Sequence, residues 1–148
     1  MKKIALAAAG LLALAGAACS SHASATPSTP STKPPLPRAI HVGEGELFLH
    51  PSVTKAASGS VTFTVSNGGA INHEFVIVSG DPTGTKGEEP GRVSEENQVG
   101  GPEGPEIGDI APGQTKTLVV QLPPGTYTAM CNLPGHYEGG MHFTFVVS

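Results

Sequence analysis

Residues 60–66 read Ser-Val-Thr-Phe-Thr-Val-Ser. Val61, Phe63 and Val65 fall on one side of an extended chain and Thr62 and Thr64 on the other, the pattern of a half-buried β-strand. Nowhere does the chain carry a 3.6-residue apolar period over three turns. It offers more short strand-like runs instead, at residues 46–50, 73–78, 115–122, 126–131 and 142–147. Asn67-Gly68-Gly69, Pro112-Gly113 and Pro123-Pro124-Gly125 punctuate them as turns. Six or more short strands with Gly- and Pro-rich turns predict an all-β sandwich or small barrel.

The ends of the chain bound the size of that domain. Lys2 and Lys3 precede an uncharged run from Ile4 to Ala18 that is rich in Ala and Leu. The run is short for a permanent span and has the flanks of a secretory signal, so residues 1–18 are expected to direct export. Cys19 closes it after Gly16-Ala17-Ala18. This resembles the lipobox of bacterial lipoproteins, in which the cysteine is lipidated and becomes the first mature residue. That motif usually has Leu three positions before the cysteine, where Gly16 stands here. Lipidation at Cys19 is the expectation, and ordinary cleavage near Ala17 or Ala18 is the alternative. Residues 19–38 are dominated by Ser, Thr, Ala and Pro and read as an extended tether, with His22 a bystander. The folded domain is expected over residues 39–148. The formal net charge is −4, and loss of Lys2 and Lys3 makes the mature chain more acidic still. A nucleic-acid partner is not expected on that ground, since phosphate binding needs a basic surface.

Within the domain, residues 80–109 form a long loop with eight acidic residues against Lys86 and Arg92. A short helix is expected near Val93–Gln98. The loop reads either as a solvated insertion or as a docking element for a partner.

Cys131 is the domain's lone cysteine, in a protein expected to enter an oxidising compartment. It ends one strand-like run. His136 and Met141 follow at C-x4-H-x4-M spacing before the chain returns as a strand. A loop between two strands can curl these side chains around one point, with Gly135, Gly139 and Gly140 permitting the sharp turns. His73, which opens the β-branched run after Asn67-Gly68-Gly69, is placed to supply a second imidazole. Taken singly, each residue has a bland reading: His73 as a structural histidine, Met141 as core filling, Cys131 as a small hydrophobe. Together they are a thiolate, two imidazoles and a thioether, a donor set suited to copper in both oxidation states. Zinc is the inorganic alternative, though it rarely uses Met. His142 and Met130, as strand neighbours of Met141 and Cys131, should face away from the site. His41 and His50 read as surface or structural residues.

On these residues the domain resembles the cupredoxin family, the type 1 blue-copper proteins that include plastocyanin, azurin, rusticyanin and sulfocyanin. The loop spacing is most like that of rusticyanin and sulfocyanin. The resemblance implies a Greek-key β-sandwich of seven or eight strands. It also implies His73, Cys131 and His136 as equatorial ligands, Met141 as the axial ligand, and one copper ion cycling between Cu(I) and Cu(II). One position departs from the pattern. The family usually has Asn or Ser after the first histidine, bracing the cysteine loop, and this chain has Glu74. Either the bracing differs here or Glu74 points outwards and adds to the acidic surface.

The implied role is single-electron transfer between redox partner proteins at the cell envelope, on the outer face of the cytoplasmic membrane or in the periplasm. The protein is expected to be a monomer held to the membrane by lipid. Partners would dock briefly near His136, on an apolar patch of Leu133, Pro134 and Tyr137. A copper chaperone or copper-resistance protein is the alternative. Catalysis is not expected, because copper enzymes of this kind need a second type of copper site and the chain has no His-x-His.

Overall fold

The computed structural model describes residues 34–101 and 104–148. The expected signal, Cys19 and most of the tether lie outside them. Nine strands follow in order: β1 (Ala39–Gly45), β2 (Phe48–Pro51), β3 (Lys55–Ala56), β4 (Gly59–Asn67), β5 (His73–Ser79), β6 (Ile107–Ile110), β7 (Thr115–Leu122), β8 (Gly125–Met130) and β9 (His142–Val147). Among the described residues there is no helix. All six strand-like runs are present. The count exceeds the expected seven or eight because β1, β3 and β6 join them. β3 is only a two-residue pairing of Lys55 and Ala56 with Val146 and Val147.

The strands form two sheets, β2-β1-β4-β7 and β3-β9-β8-β5-β6. β4 lies between β1, which it meets in parallel, and β7, which it meets antiparallel. Alternation decides what each strand buries. In β4, Val61, Phe63 and Val65 are fully buried while Ser60 and Ser66 are exposed. In β1, Ile40, Val42 and Glu44 share the inner face. Phe63 joins the two sheets, with its ring centroid 5.3 Å from Phe75 of β5 and 5.5 Å from Phe145 of β9. Truncation there opens a cavity between sheets that cannot collapse onto each other. Phe63→Ala should therefore lower the unfolding free energy by about 3–5 kcal/mol in a denaturant titration.

β5 is buried on both faces, which is why Phe75-Val76-Ile77-Val78 is uninterrupted apolar sequence. Phe75 and Ile77 point into the main core. Val76 and Val78 point the other way and pack with Val93, Met130 and Tyr137 in a second, smaller core. Val93 belongs to the chain between β5 and β6, so that segment is packed against the sheet and is not a solvated insertion. The short helix expected near Val93–Gln98 is absent. Residues 92–95 are irregular, and Gln98 instead makes a β-bridge to Val78. The Val93 amide and carbonyl bond the Asn132 side chain, and Asn97 and Val99 bond Ser79 and Ile77 of β5, so these groups are not available for helical bonds.

Candidate metal centre

The site lies at one end of the sandwich, where β5 begins and where β8 and β9 are joined. His73 is the first residue of β5 and is fully buried. Two side chains fix the turn before it. Asn67 accepts the Gly69 amide at 2.7 Å, an Asx turn, and donates through Nδ2 to the carbonyls of Ile71 and Ile110 at 2.8 and 2.7 Å. Glu46 accepts the amides of Ala70 and Ile71, and those bonds hold its carboxyl below the usual range.

Cys131 follows β8 and is fully buried. Its amide donates to the Met141 carbonyl at 3.0 Å, and the Met141 amide donates to the His136 carbonyl at 3.0 Å. The backbone thus ties three of the four predicted residues together. Gly135 and Gly140 have φ of 80° and 112°, so their glycines serve the left-handed turns at either side of the loop. A Cβ on Gly139 would displace the Leu47 side chain, which packs over it, and would crowd the Gly135 carbonyl at 3.1 Å.

His73, Cys131 and His136 offer ligand atoms that all lie within 4.8 Å of one another. Cys131 Sγ is 3.3 Å from His136 Nδ1 and 4.0 Å from His73 Nδ1. The two imidazole centroids are 5.2 Å apart. Met141 is buried in the core beside them. Among the described residues no Asp, Glu or further His joins the cluster, so the fourth donor at hand is a thioether. That set fits copper and leaves zinc without the fourth hard or thiolate donor it prefers.

The protonation states also suit a metal. Burial lowers the pKa of His73 and His136 nearby lowers it further, opposed by Glu46; the net lowering favours the neutral, metal-binding ring. Burial pushes the Cys131 thiol up to about 11, opposed by the amides of Glu74 and Leu133. The Glu74 amide lies 3.5 Å from the sulfur. Without metal the thiol keeps its proton at neutral pH, and metal binding has to displace it.

Other positions answer the remaining expectations. His142 is exposed, stacks on Tyr137 at 4.3 Å and donates from Nδ1 to the Tyr137 carbonyl at 3.1 Å, facing away from the cluster. Met130 lies in the second core, also facing away. Glu74 does not point outwards. Its Oε1 accepts the Asn132 amide at 3.0 Å and pairs with Arg92 at 3.4 Å, so it braces the cysteine loop where Asn or Ser was expected to do so. Burial raises its pKa, opposed by Arg92. As neighbours on a strand, His73 and Glu74 face opposite ways; the register with β6 shifts by one residue between His73 and Phe75, with the extra residue in β6.

Tyr137 is not part of an apolar patch. It is buried, and its hydroxyl meets Thr83 at 2.8 Å and Asp81 at 3.3 Å. The exposed apolar side chains beside the ligand loop are instead Leu47, 54% exposed and packed over Gly139, and Ile71, 48% exposed and two residues before His73. Pro134 is exposed and Leu133 half-buried, as the patch required.

Glu44 was not singled out from sequence. It is 1% exposed, both carboxylate oxygens lack a hydrogen-bond partner, and burial pushes its pKa up to about 7. It lies at the site's end of β1, opposite Asn67, and its charge reaches Cys131.

A two-sheet sandwich that gathers Cys, two His and Met at one end defines a copper protein of the cupredoxin class, with one copper ion. The chain belongs to the sulfocyanin (SoxE) domain family, whose model matches residues 50–148. Its structure is similar to dithionite-reduced auracyanin from Roseiflexus castenholzii, at 25% identity and TM-score 0.58 over 76% of this chain and 98% of that one. It is also similar in fold to auracyanin A, a "blue" copper protein from Chloroflexus aurantiacus. That match has 22% identity and TM-score 0.52, over 74% of this chain and 98% of that one. Rusticyanin from Thiobacillus ferrooxidans shares the fold at 18% identity and TM-score 0.55, over 75% of this chain and 78% of that one. No curated protein matches the chain in sequence. The family and fold make this a blue-copper electron-transfer protein.

Proposed function

We propose that the protein carries single electrons between partner proteins at the cell envelope, with copper held by His73, Cys131, His136 and Met141. The observation that carries this reading is the convergence of one thiol and two imidazoles within 4.8 Å. Copper, when bound, supplies a one-electron couple. The chain's part is to hold the donors still. Cys131 and His136 are tied through the Met141 backbone, and His73 is seated by Asn67, at the end of β4, and Glu46, in the turn after β1. A donor set that need not rearrange between oxidation states favours rapid transfer.

His136 is half-buried, whereas His73 and Cys131 are fully buried. Electron exit is therefore assigned to the His136 edge, with Leu47, Ile71 and Pro134 as the apolar rim for brief docking. The protein acts as a monomeric carrier and not as an enzyme. Anchoring is assigned to a lipidated Cys19, with residues 20–38 as the tether. Growth with a labelled fatty acid should label the wild-type protein and leave Cys19→Ala unlabelled; label retained in the variant would mean that the lipid is not on Cys19.

Cyclic voltammetry of the copper-loaded protein tests the carrier role: a reversible one-electron couple is expected, and copper loss on reduction would favour a copper-handling protein. In the same experiment Met141→Leu should keep the visible band and raise the potential, because a weak electron-donating ligand is removed. An unchanged potential would mean that Met141 does not act as the fourth ligand.

A further inference from the structure

The chain between β5 and β6 holds the ligand loop at three places, and each is a sequence neighbour of a ligand. Asn132, next to Cys131, is 1% exposed. Its side chain bonds the Val93 backbone in both directions, accepting from the amide at 2.9 Å and donating to the carbonyl at 2.9 Å, as a paired strand would. Its second Nδ2 hydrogen goes to Glu95 at 2.7 Å. Gly135, next to His136, donates its amide to the Gly91 carbonyl at 2.8 Å. The two backbones approach so closely that a Cβ on Gly91 would lie 3.0 Å from the Gly135 nitrogen. Tyr137, on the other side of His136, is held through its hydroxyl by Thr83 and Asp81. Arg92, from the same segment, supports Glu74, which bonds the Asn132 amide.

We propose that this segment is a clamp that keeps Cys131 and His136 in their metal-ready positions, with Asn132 as its main positioning residue. The inference rests on the copper reading above. An acidic, Gly- and Pro-rich segment would otherwise contribute little to folding. Here it satisfies every hydrogen-bonding group of the Asn132 side chain and covers Val76, Val78 and Met130. Ordering of the ligand loop is then completed on folding and is not left for metal uptake, which is what preorganisation contributes to binding. Loss of an outer partner of a metal ligand costs about 10–100-fold in metal affinity.

The test compares full-length wild type with Asn132→Ala, Arg92→Met and Gln98→Ala, each titrated with copper under reducing and oxidising conditions and examined by paramagnetic resonance of the oxidised form. Asn132→Ala should lose about 10–100-fold in copper affinity and change the Cu(II) hyperfine splitting. Arg92→Met, at a side chain 25% exposed, should change both in the same direction and less. The Gln98 side chain bonds only within the segment, to Gly104 and Glu106, and its backbone bridge to Val78 is untouched by truncation, so Gln98→Ala should leave both at wild-type values. Wild-type affinity and spectrum in both Asn132→Ala and Arg92→Met would overturn the clamp, as would an equal loss in Gln98→Ala. If Asn132→Ala fails to fold, Arg92→Met against Gln98→Ala decides in the same way. A wild-type protein that shows no thiolate–Cu(II) band would overturn the copper reading itself, a result distinct from any difference among the variants.

Discussion

Cys131→Ser should abolish the thiolate-to-Cu(II) band completely and weaken copper binding by more than about 100-fold. The second figure follows from scale: loss of an outer partner already costs about 10–100-fold, and Cys131 is a ligand. Serine is nearly isosteric, but its hydroxyl stays protonated at neutral pH and offers no soft donor. The fold should survive, because Cys131 forms no disulfide and the substitution changes one buried atom. Visible absorption and a copper titration, read beside an unchanged circular dichroism spectrum, check this. A band retained in the variant would mean that the sulfur is not a ligand.

Glu44→Gln should remove a pH dependence of about 3 kcal/mol from the stability of the metal-free protein. The carboxyl pKa rises from 4.5 to about 7 in the folded state, through burial alone. Below about pH 4.5 the group is neutral in both states and does not oppose folding. Between 4.5 and 7 the unfolded chain releases the proton while the folded one retains it, so stability falls as pH rises. Above 7 the folded protein holds an ionised carboxylate with no partner, and the full penalty of about 3 kcal/mol is present. Glutamine carries no charge at any of these values. A fixed cost for burying its amide shifts the whole curve without tilting it. Urea unfolding at pH 4 and pH 8 should show the variant gaining on the wild type by about 3 kcal/mol between the two. Parallel curves would mean that Glu44 is solvated or paired in solution.

The residues that sequence pattern reached are those whose neighbours in the chain explain them. The alternation of Val61, Phe63 and Val65 required β4, and the eleven-residue stretch from Cys131 to Met141 contains its own turns and three of the four donors. What escaped depends on contacts between distant residues. β1 was not seen because Glu44, a charged residue, occupies an inner-face position and breaks the apolar pattern that marks a strand. Leu47 belongs to the strand-like run 46–50 by sequence, but it lies in the turn before β2, at φ 63°, where only the fold brings it over Gly139. The misplacement of Tyr137 has the same origin. An aromatic beside His136 suits an exposed patch until Thr83 and Asp81, more than fifty positions earlier in the chain, are found on its hydroxyl. Glu74 and the acidic segment were legible as a departure and as a long loop. Their roles appear only through Asn132, which is joined to Val93 across thirty-nine positions.

Cys131, His73 and His136, on the proposed function, hold copper as a thiolate centre that passes one electron at a time. The most direct measurement is the visible spectrum of the copper-loaded, ferricyanide-oxidised protein. An intense thiolate-to-Cu(II) band is expected, one that bleaches on reduction and returns on reoxidation. A protein that binds copper and stays colourless when oxidised would contradict it.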